Sequence, residues 1–519
     1  MTLEAMLEQA LARHRAGDLP GAEQLYLNLL QAAPRSFVPQ HLLGVLRAQQ
    51  GRLPEAIALI GEALAARPNV ADAQFNYGKV LKDAGRLPEA LAAYDQAVAL
   101  GYPGARANRV EVLNRMGVVA QQAGDFDQAV ALADRALADA PDYANAHDNR
   151  GVALARLGRH AEAIASLDRA LAIQPDHAPT HFNRGNALRD TLRLDEAMES
   201  FDRAIALDPN FVDARRNKGL LALMQGDFAT GLPLYEWRKQ ANPPVEARSY
   251  PQPLWTGTED ITSKTVFVYV EQGLGDAIQF YRFVMPLLER RAHVILSAPQ
   301  SLLALLARGR WPVDLVANGA TPPDFDYHIP LMSLPLALGV TYATIPVETP
   351  YLFAELERIA YWKTRIDEKA FKIGISWQGA ISQVIGRSMP LAAFTTLADL
   401  PGVRLISLQK GPGSEQLADL PMVENLGAEF DSGADAFLDS AAVMESLDLV
   451  ITLDSALAHL AGALGRPSWV PLKRVPDWRW FLAHDDSPWY PGMQLFRQSR
   501  DDDWAEVFNR MRARLEEMQ

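Results

Sequence analysis

A glycine returns every 34 residues through most of the first half of the chain. Gly44, Gly78, Gly117, Gly151, Gly185 and Gly219 are separated by 34, 39, 34, 34 and 34 residues. Twelve residues after each glycine stands a small residue: Ala56, Ala90, Ala129, Ala163, Ala197 and finally Gly231. Nineteen after the first five stands a second alanine: Ala63, Ala97, Ala136, Ala170 and Ala204. Pro68, Pro141, Pro175 and Pro209 close units, and Pro34 closes a degenerate first one with small residues at Ala10 and Ala22. A fixed period of this length means one helix–turn–helix per unit. The small residues lie where two helices touch, and the proline ends the second helix. No unit buries its apolar face alone, so neighbours must stack. The five extra residues before Gly117 are expected as an elongated turn around Gly101–Ala105.

The pattern resembles the tetratricopeptide repeat, whose period is about 34 residues. Asn76, Asn149, Asn183 and Asn217 each precede their glycine by two positions, so equal phase puts them in one line. An amide both donates and accepts hydrogen bonds, so a line of amides suits the backbone of an extended peptide. This line resembles the asparagine ladder of the O-GlcNAc transferase repeats. The plainer alternative is that each amide bonds a neighbouring helix. Leu42 and Arg115 interrupt the phase.

Composition narrows the function classes. The net charge is -13, which disfavours a general nucleic-acid binder. Hydrophobic residues make up 49%, enough to bury cores. Without cysteine there is no disulfide, thiolate metal site or cysteine nucleophile. The N-terminal segment reads as an amphipathic helix rather than a signal peptide. No apolar run reaches about 18 residues, so no transmembrane segment is expected. A soluble, cytoplasmic protein is the expectation.

Periodicity fades after Gly231. Residues 241–263 are rich in proline and polar residues and read as a linker, anchored by Trp255. Short apolar runs then alternate with helical stretches, which argues for parallel sheets. Strands are expected at Thr265–Val270, His293–Ser297, Val313–Ala317 and Asp326–Pro330. A second series is expected at Phe371–Trp377, Val403–Gln409, Asp448–Asp454 and Ser468–Leu472. The expected organisation is a repeat array over 1–240, the linker, a first α/β domain over 264–355 and a connecting helix over 356–370. A second α/β domain over 371–500 follows, with a C-terminal helix over 501–519 packing back on the first α/β domain. The fold class is an α superhelix followed by two Rossmann-like α/β domains.

Three motif sets carry chemistry. Gly273-Leu274-Gly275-Asp276 follows a strand and opens a helix, where glycines admit close backbone approach and a helix start favours anions. It lacks the full dinucleotide fingerprint and the lysine of a phosphate-binding loop. On its residues alone, Asp276 reads as a helix N-cap. Asp454, Ser455 and His459 bring a carboxylate, a hydroxyl and an imidazole to another strand end, where open α/β sheets bind ligands. Otherwise the first two are caps and His459 is a buried structural histidine. Ser376, Trp377, Gln378 and Gly379, then Arg387, then Gln409 and Lys410, stand at or after strand ends. Arg387 and Lys410 offer positive charge for a pyrophosphate, or are ordinary surface residues.

The order GLGD, SWQG, LQKG and DSALAHLAGALG resembles the family 9 glycosyltransferases, which include the lipopolysaccharide heptosyltransferases. The resemblance spans roughly Lys264–Gln519. It implies a GT-B fold, with 264–355 the acceptor side, 371–500 the nucleotide-sugar side and Asp276 the general base that deprotonates an acceptor hydroxyl. It also implies that Asp454, Ser455 and His459 hold the donor's diphosphate, with Ala456 in place of the family's usual glycine. Lys410 would neutralise the leaving nucleotide. Gly273, Gly275, Ser376, Trp377, Gln378, Arg387 and Gln409 complete the expected donor set. Neither a metal nor a cofactor is implied beyond the nucleotide-sugar donor. The aromatic tail residues Trp478, Trp480, Trp489 and Tyr490 are expected mainly to pack the last helix onto the core.

Three functions are carried forward. The first is a transferase that glycosylates a protein held by the repeats, flagellin or another bacterial protein, by analogy with O-GlcNAc transferase. The second is a transferase acting on lipopolysaccharide or another glycan, its repeats recruiting partners. The third is a non-catalytic scaffold with a degenerate transferase domain.

Overall fold

The structure is a computed structural model of the 519-residue chain and describes residues 2–241, 248–366, 369–379, 388–501 and 503–518. Two compact units divide it, Met1–Pro209 and Asn210–Gln519.

Among the described residues, the first unit holds twelve α-helices, from Leu3–Arg15 to Leu194–Leu207, in six antiparallel pairs. The recurring glycine has a steric cause. A Cβ on Gly44, Gly78, Gly151 or Gly185 would lie 2.5, 2.9, 2.6 and 2.7 Å from Ile60, Tyr94, Leu167 and Phe201 on the partner helix. At Gly117 the nearest atom is 3.8 Å away, because the matching partner residue is the small Ala133. The periodic alanines are buried at the same contacts. Between the paired helices, Gly51, Gly85, Gly124 and Gly158 turn the chain with positive φ, as helix C-termini favour. Leu192 takes that conformation in the sixth pair without the freedom of a glycine. The five extra residues do not form an elongated turn. They lengthen the first helix of that unit, Ala105–Gln122, to 18 residues where its counterparts have 13. Gly104, in the left-handed region, makes the turn immediately before it.

The seventh helix pair, Val212–Met224 and Phe228–Tyr235, belongs by packing to the second unit rather than to the array expected over 1–240. Its aromatic residues explain this. Phe228 stacks on Phe481, and Tyr235 meets Trp478. The turn that follows, Glu236–Gln240, buries Arg238 against Glu271 at 2.8 Å, Glu236 at 2.5 Å and the Ser333 hydroxyl.

Two sheets form the rest of the second unit. The first contains β1 (Thr265–Tyr269), β2 (His293–Ala298), β3 (Asp314–Ala317) and β4 (Tyr327–Pro330), all parallel in the order β3-β2-β1-β4. Residues Pro253–Trp255 run beside β4. There Trp255 N–H donates to the His328 carbonyl, and the buried indole lies under the Arg290 guanidinium. The second sheet contains β5 (Phe371–Ser376), β6 (Val403–Ser407), β7 (Val423–Asn425), β8 (Leu449–Thr452), β9 (Ser468–Leu472), β10 (Asp486–Ser487) and β11 (Tyr490–Arg497). Its order is β10-β11-β9-β8-β5-β6-β7, parallel except for the β10–β11 hairpin. In both sheets the strand order reverses at the first strand, which opens a crevice at the strand carboxyl ends.

Two packing expectations need correction. The C-terminal helix, Trp504–Met518, does not pack on the first α/β domain. Its Val507, Phe508, Met511 and Leu515 recur on one face and bury against the second sheet's core with Phe394 and Leu397. The tail aromatics are buried, yet not against that helix. Trp478 and Trp489 pack around Phe280 behind the first sheet's GLGD loop, and Trp480 stacks on His459.

Candidate functional site

A cavity of about 940 Å³ lies where the strand carboxyl ends of the two sheets face each other. One wall is Gln272–Asp276, after β1. The other is built from Ser376 and Gln378–Gly379 after β5, Leu408–Lys410 after β6, and Leu453–Leu457 with His459 after β8. Residues far apart in sequence are therefore brought together because each ends a strand near the reversal of strand order.

Asp276 is at the third position of the helix Leu274–Phe280, and Gly273, not Asp276, is its N-cap. One carboxylate oxygen accepts from Gly273 N–H at 3.0 Å, and the other pairs with Arg479 at 2.6 Å. Arg479 also pairs with Asp477 at 2.8 Å and lies over the rings of Trp478 and Phe280. Burial opposes its charge, but Asp276 and Asp477 more than offset this and raise its pKa. Arg479 and Asp477 both line the cavity and were absent from the sequence-derived site. The signal was there: a cation between two tryptophans in an apolar tail, with an acid two residues before it.

Gly275 lets the two walls meet. A Cβ there would lie 3.1 Å from His459 and 3.3 Å from the Cα of Ala456, the first residue of the helix Ala456–Ala463. Two helix starts thus converge on the cavity, an arrangement favourable to an anion. Ser455 is the N-cap, and its hydroxyl lies 3.2 Å from that of Thr452. Asp454 lines the cavity beside it. His459 is buried and lines the cavity, with its Nδ1 3.1 Å from the Tyr490 hydroxyl.

Gln409 is a knot rather than an open ligand group. Its carbonyl oxygen accepts from the Ser376 hydroxyl and from Trp377 and Gln378 N–H. Its amide donates to Gln378 and Pro412 carbonyls at 2.8 Å. Ser376 and Gln409 hold the loops in place while still bordering the cavity. Trp377 is corrected: its ring is fully buried in the second sheet's core and does not line the cavity. Lys410 does line it, and its ammonium donates to the Phe430 carbonyl at 2.7 Å, using one of three donors. Arg387 lies outside the described residues. Asp431, which the sequence reading missed, reaches the cavity from the loop before the helix Leu438–Met444 and accepts from Asp439 N–H and the Ser440 hydroxyl in that helix's first turn. Burial raises its pKa.

In the array, the aligned asparagines bond across units. Asn149 donates to Asn114 at 2.7 Å and Asn183 to Asp148 at 3.1 Å. The Asn76 amide lies 3.2 Å from the His41 Nε2. The amide nitrogens of these three tie one unit to the one before.

Tetratricopeptide repeat models match residues 69–142, 114–178 and 178–211. Residues 69–211 are tetratricopeptide repeats. These repeats and the glycine phase they share with Gly44 account for the helix pairs described above. Among curated proteins, Protein FlbA of Caulobacter vibrioides is 26% identical over 284 residues, covering 50% of this chain and 47% of FlbA. The chain thus spans about half the length of that relative. Among solved structures, YrrB, described as a tetratricopeptide repeat protein with an unusual peptide-binding site, is 21% identical, with a TM-score of 0.31. The match covers 38% of this chain and 98% of YrrB. The C-terminal part of a repeat protein from Cytophaga hutchinsonii is 14% identical, with a TM-score of 0.36, covering 46% of this chain and 95% of that one. Among the described residues, no helix is long and apolar enough to cross a membrane.

Proposed function

We propose that the chain is a metal-independent GT-B glycosyltransferase. It moves a sugar from a nucleoside-diphosphate donor to a protein held by the tetratricopeptide repeats. The observation that carries this reading is the cavity between two parallel sheets, with Asp276 on one wall and Ser455, His459 and Lys410 on the other. In the proposed step Asp276 takes the acceptor hydroxyl proton as that oxygen bonds to the anomeric carbon. The bond from that carbon to the phosphate oxygen breaks, and the electron pair leaves with the nucleoside diphosphate. The two helix starts and Lys410 offset the charge that develops on the leaving group. A carboxylate has about four acceptor positions, and Gly273 and Arg479 occupy two of those on Asp276.

The Arg479 pairing favours one rival, a scaffold in which Asp276 only pins the tail to the first sheet. Calorimetry on the full chain with UDP, GDP and ADP, together with transfer assays on Asp276→Ala, separates the two. The transferase reading expects binding of one nucleotide class by both proteins and loss of transfer in the variant. Absence of heat with every nucleotide selects the scaffold. Glycan profiling of a deletion strain tests the acceptor: altered lipopolysaccharide with unmodified proteins would move it from protein to glycan.

A further inference from the structure

The second helix of the seventh pair is cut short. Phe228–Tyr235 has 8 residues where the second helices of the array have 13 or 14, and Pro233 lies inside it. A proline there removes a helical hydrogen bond, and the chain tightens at once into the turn Glu236–Gln240. Two side chains of this short helix and turn reach the segment that follows β1. Arg238 pairs with Glu271 at 2.8 Å, each side chain only 1% exposed. The Tyr235 hydroxyl holds the next residue, Gln272, donating to Oε1 at 3.1 Å and accepting from Nε2 at 2.7 Å. Gln272 opens the cavity wall that runs on to Asp276.

Tyr235 is itself well fastened. Its ring meets Trp478 with centroids 6.2 Å apart, and the Arg238 guanidinium lies 4.8 Å from its centroid. Burial raises the pKa of its hydroxyl, which therefore keeps a hydrogen to donate. Gln272 is less fully used. An amide offers two N–H donors and two lone pairs, and the Tyr235 hydroxyl takes one of each. Among the described residues the amide makes no other hydrogen bond. One donor and one acceptor remain on an uncharged group that lines the cavity. A hydroxyl matches that pair, because it also donates and accepts, whereas an ionised phosphate oxygen only accepts.

We infer that Gln272 binds a substrate hydroxyl, and that Tyr235, carried by the seventh helix pair, is the positioning residue that holds its amide. The inference deepens the transferase reading and rests on it for the substrate, but not for the tie between Tyr235 and Gln272. Tyr235→Phe keeps the ring and its contacts and removes the hydroxyl. Hydrogen exchange on the full-length variant should quicken about fivefold over residues 270–277, with β5–β9 and the melting temperature unchanged. Unaltered exchange over 270–277 overturns the tie. Transfer kinetics on Tyr235→Phe, Gln272→Leu and the double variant test the rest. Gln272→Leu should lower kcat/KM about tenfold, and Tyr235→Phe should add no loss on top of it. Equal losses from Tyr235→Phe in both backgrounds would mean that it does not act through Gln272. A Gln272→Leu protein as active as wild type overturns the binding role. Which substrate's KM rises tells whether the hydroxyl is on the donor sugar or on the acceptor. Gln272→Glu still accepts from a hydroxyl but repels a phosphate, so it should outperform Gln272→Leu; the reverse order overturns the hydroxyl assignment. If wild type transfers no sugar while exchange quickens as stated, the transferase reading and the hydroxyl fall together and the tie stands.

Discussion

In the repeat array, Asn183 finds Asp148, 35 residues back. In the second unit, Asp276 finds Arg479, 203 residues on. The array is a sum of near-neighbour contacts, each repeated with the period of the sequence. The cleft is assembled from four strand ends and a tail whose meeting no local pattern encodes. Damage in the array should therefore stay local, and damage at the cleft should spread through the second unit.

Arg479→Met is the harshest test. It leaves Asp276 and Asp477 without their buried cation and should cost about 3–5 kcal/mol. Urea unfolding should show the second unit melting earlier while the array's transition stays in place. A loss confined to the Arg479 loop would blur the comparison. Leu167→Ala, on the array side, removes the side chain that packs on Gly151 and should cost about 2–5 kcal/mol. Hydrogen exchange should quicken in the helices around it and remain unchanged over β5–β9. A uniform change would mean that the array is not modular.

Asn183→Ala probes a single tie between units and should cost about 1 kcal/mol. A stability loss together with unchanged peptide binding would make the asparagine line structural only. Unchanged stability with lost peptide binding would make it a ladder for a ligand. The smallest effect is a pH dependence. Burial lowers the pKa of His41 from its ordinary 6.5, so it is neutral where it meets Asn76. Between the two pKa values the unfolded chain binds more protons than the folded one. The contribution to stability is therefore present above 6.5 and is lost as the pH falls through the lower folded value. Amide exchange over Phe37–Gln49, corrected for its intrinsic rate, should quicken from about pH 7 to pH 5, and His41→Gln should remove that response.

The contrast also governs what could be read in advance. The glycine phase predicted helix pairs, their small-residue contacts and their closing prolines. Strands expected at Thr265–Val270, Phe371–Trp377 and Ser468–Leu472 appear within a residue of those limits, because apolar β-rich runs bounded by turn residues are local signals. β7 and the β10–β11 hairpin were not anticipated. The first is short, and the second was hidden by an aromatic composition that suited packing as well as strand. Trp377 was taken for a ligand contact because it follows a strand, yet alternation along that strand points its ring into the core. Arg479 went unassigned because its partner Asp276 lies in a distant segment.

The sequence alone determined the repeat, its period, the alternation of strand and helix, and the placing of GLGD and DSALAH at strand ends. Those are consequences of near-neighbour sterics and hydrophobic periodicity. Only the tertiary structure decided that the seventh helix pair joins the α/β unit, that the last helix covers the second sheet, and that Asp276 is held by Arg479. Those outcomes depend on which buried charges and rings meet across long stretches of chain, and such pairings leave no periodic trace in the sequence.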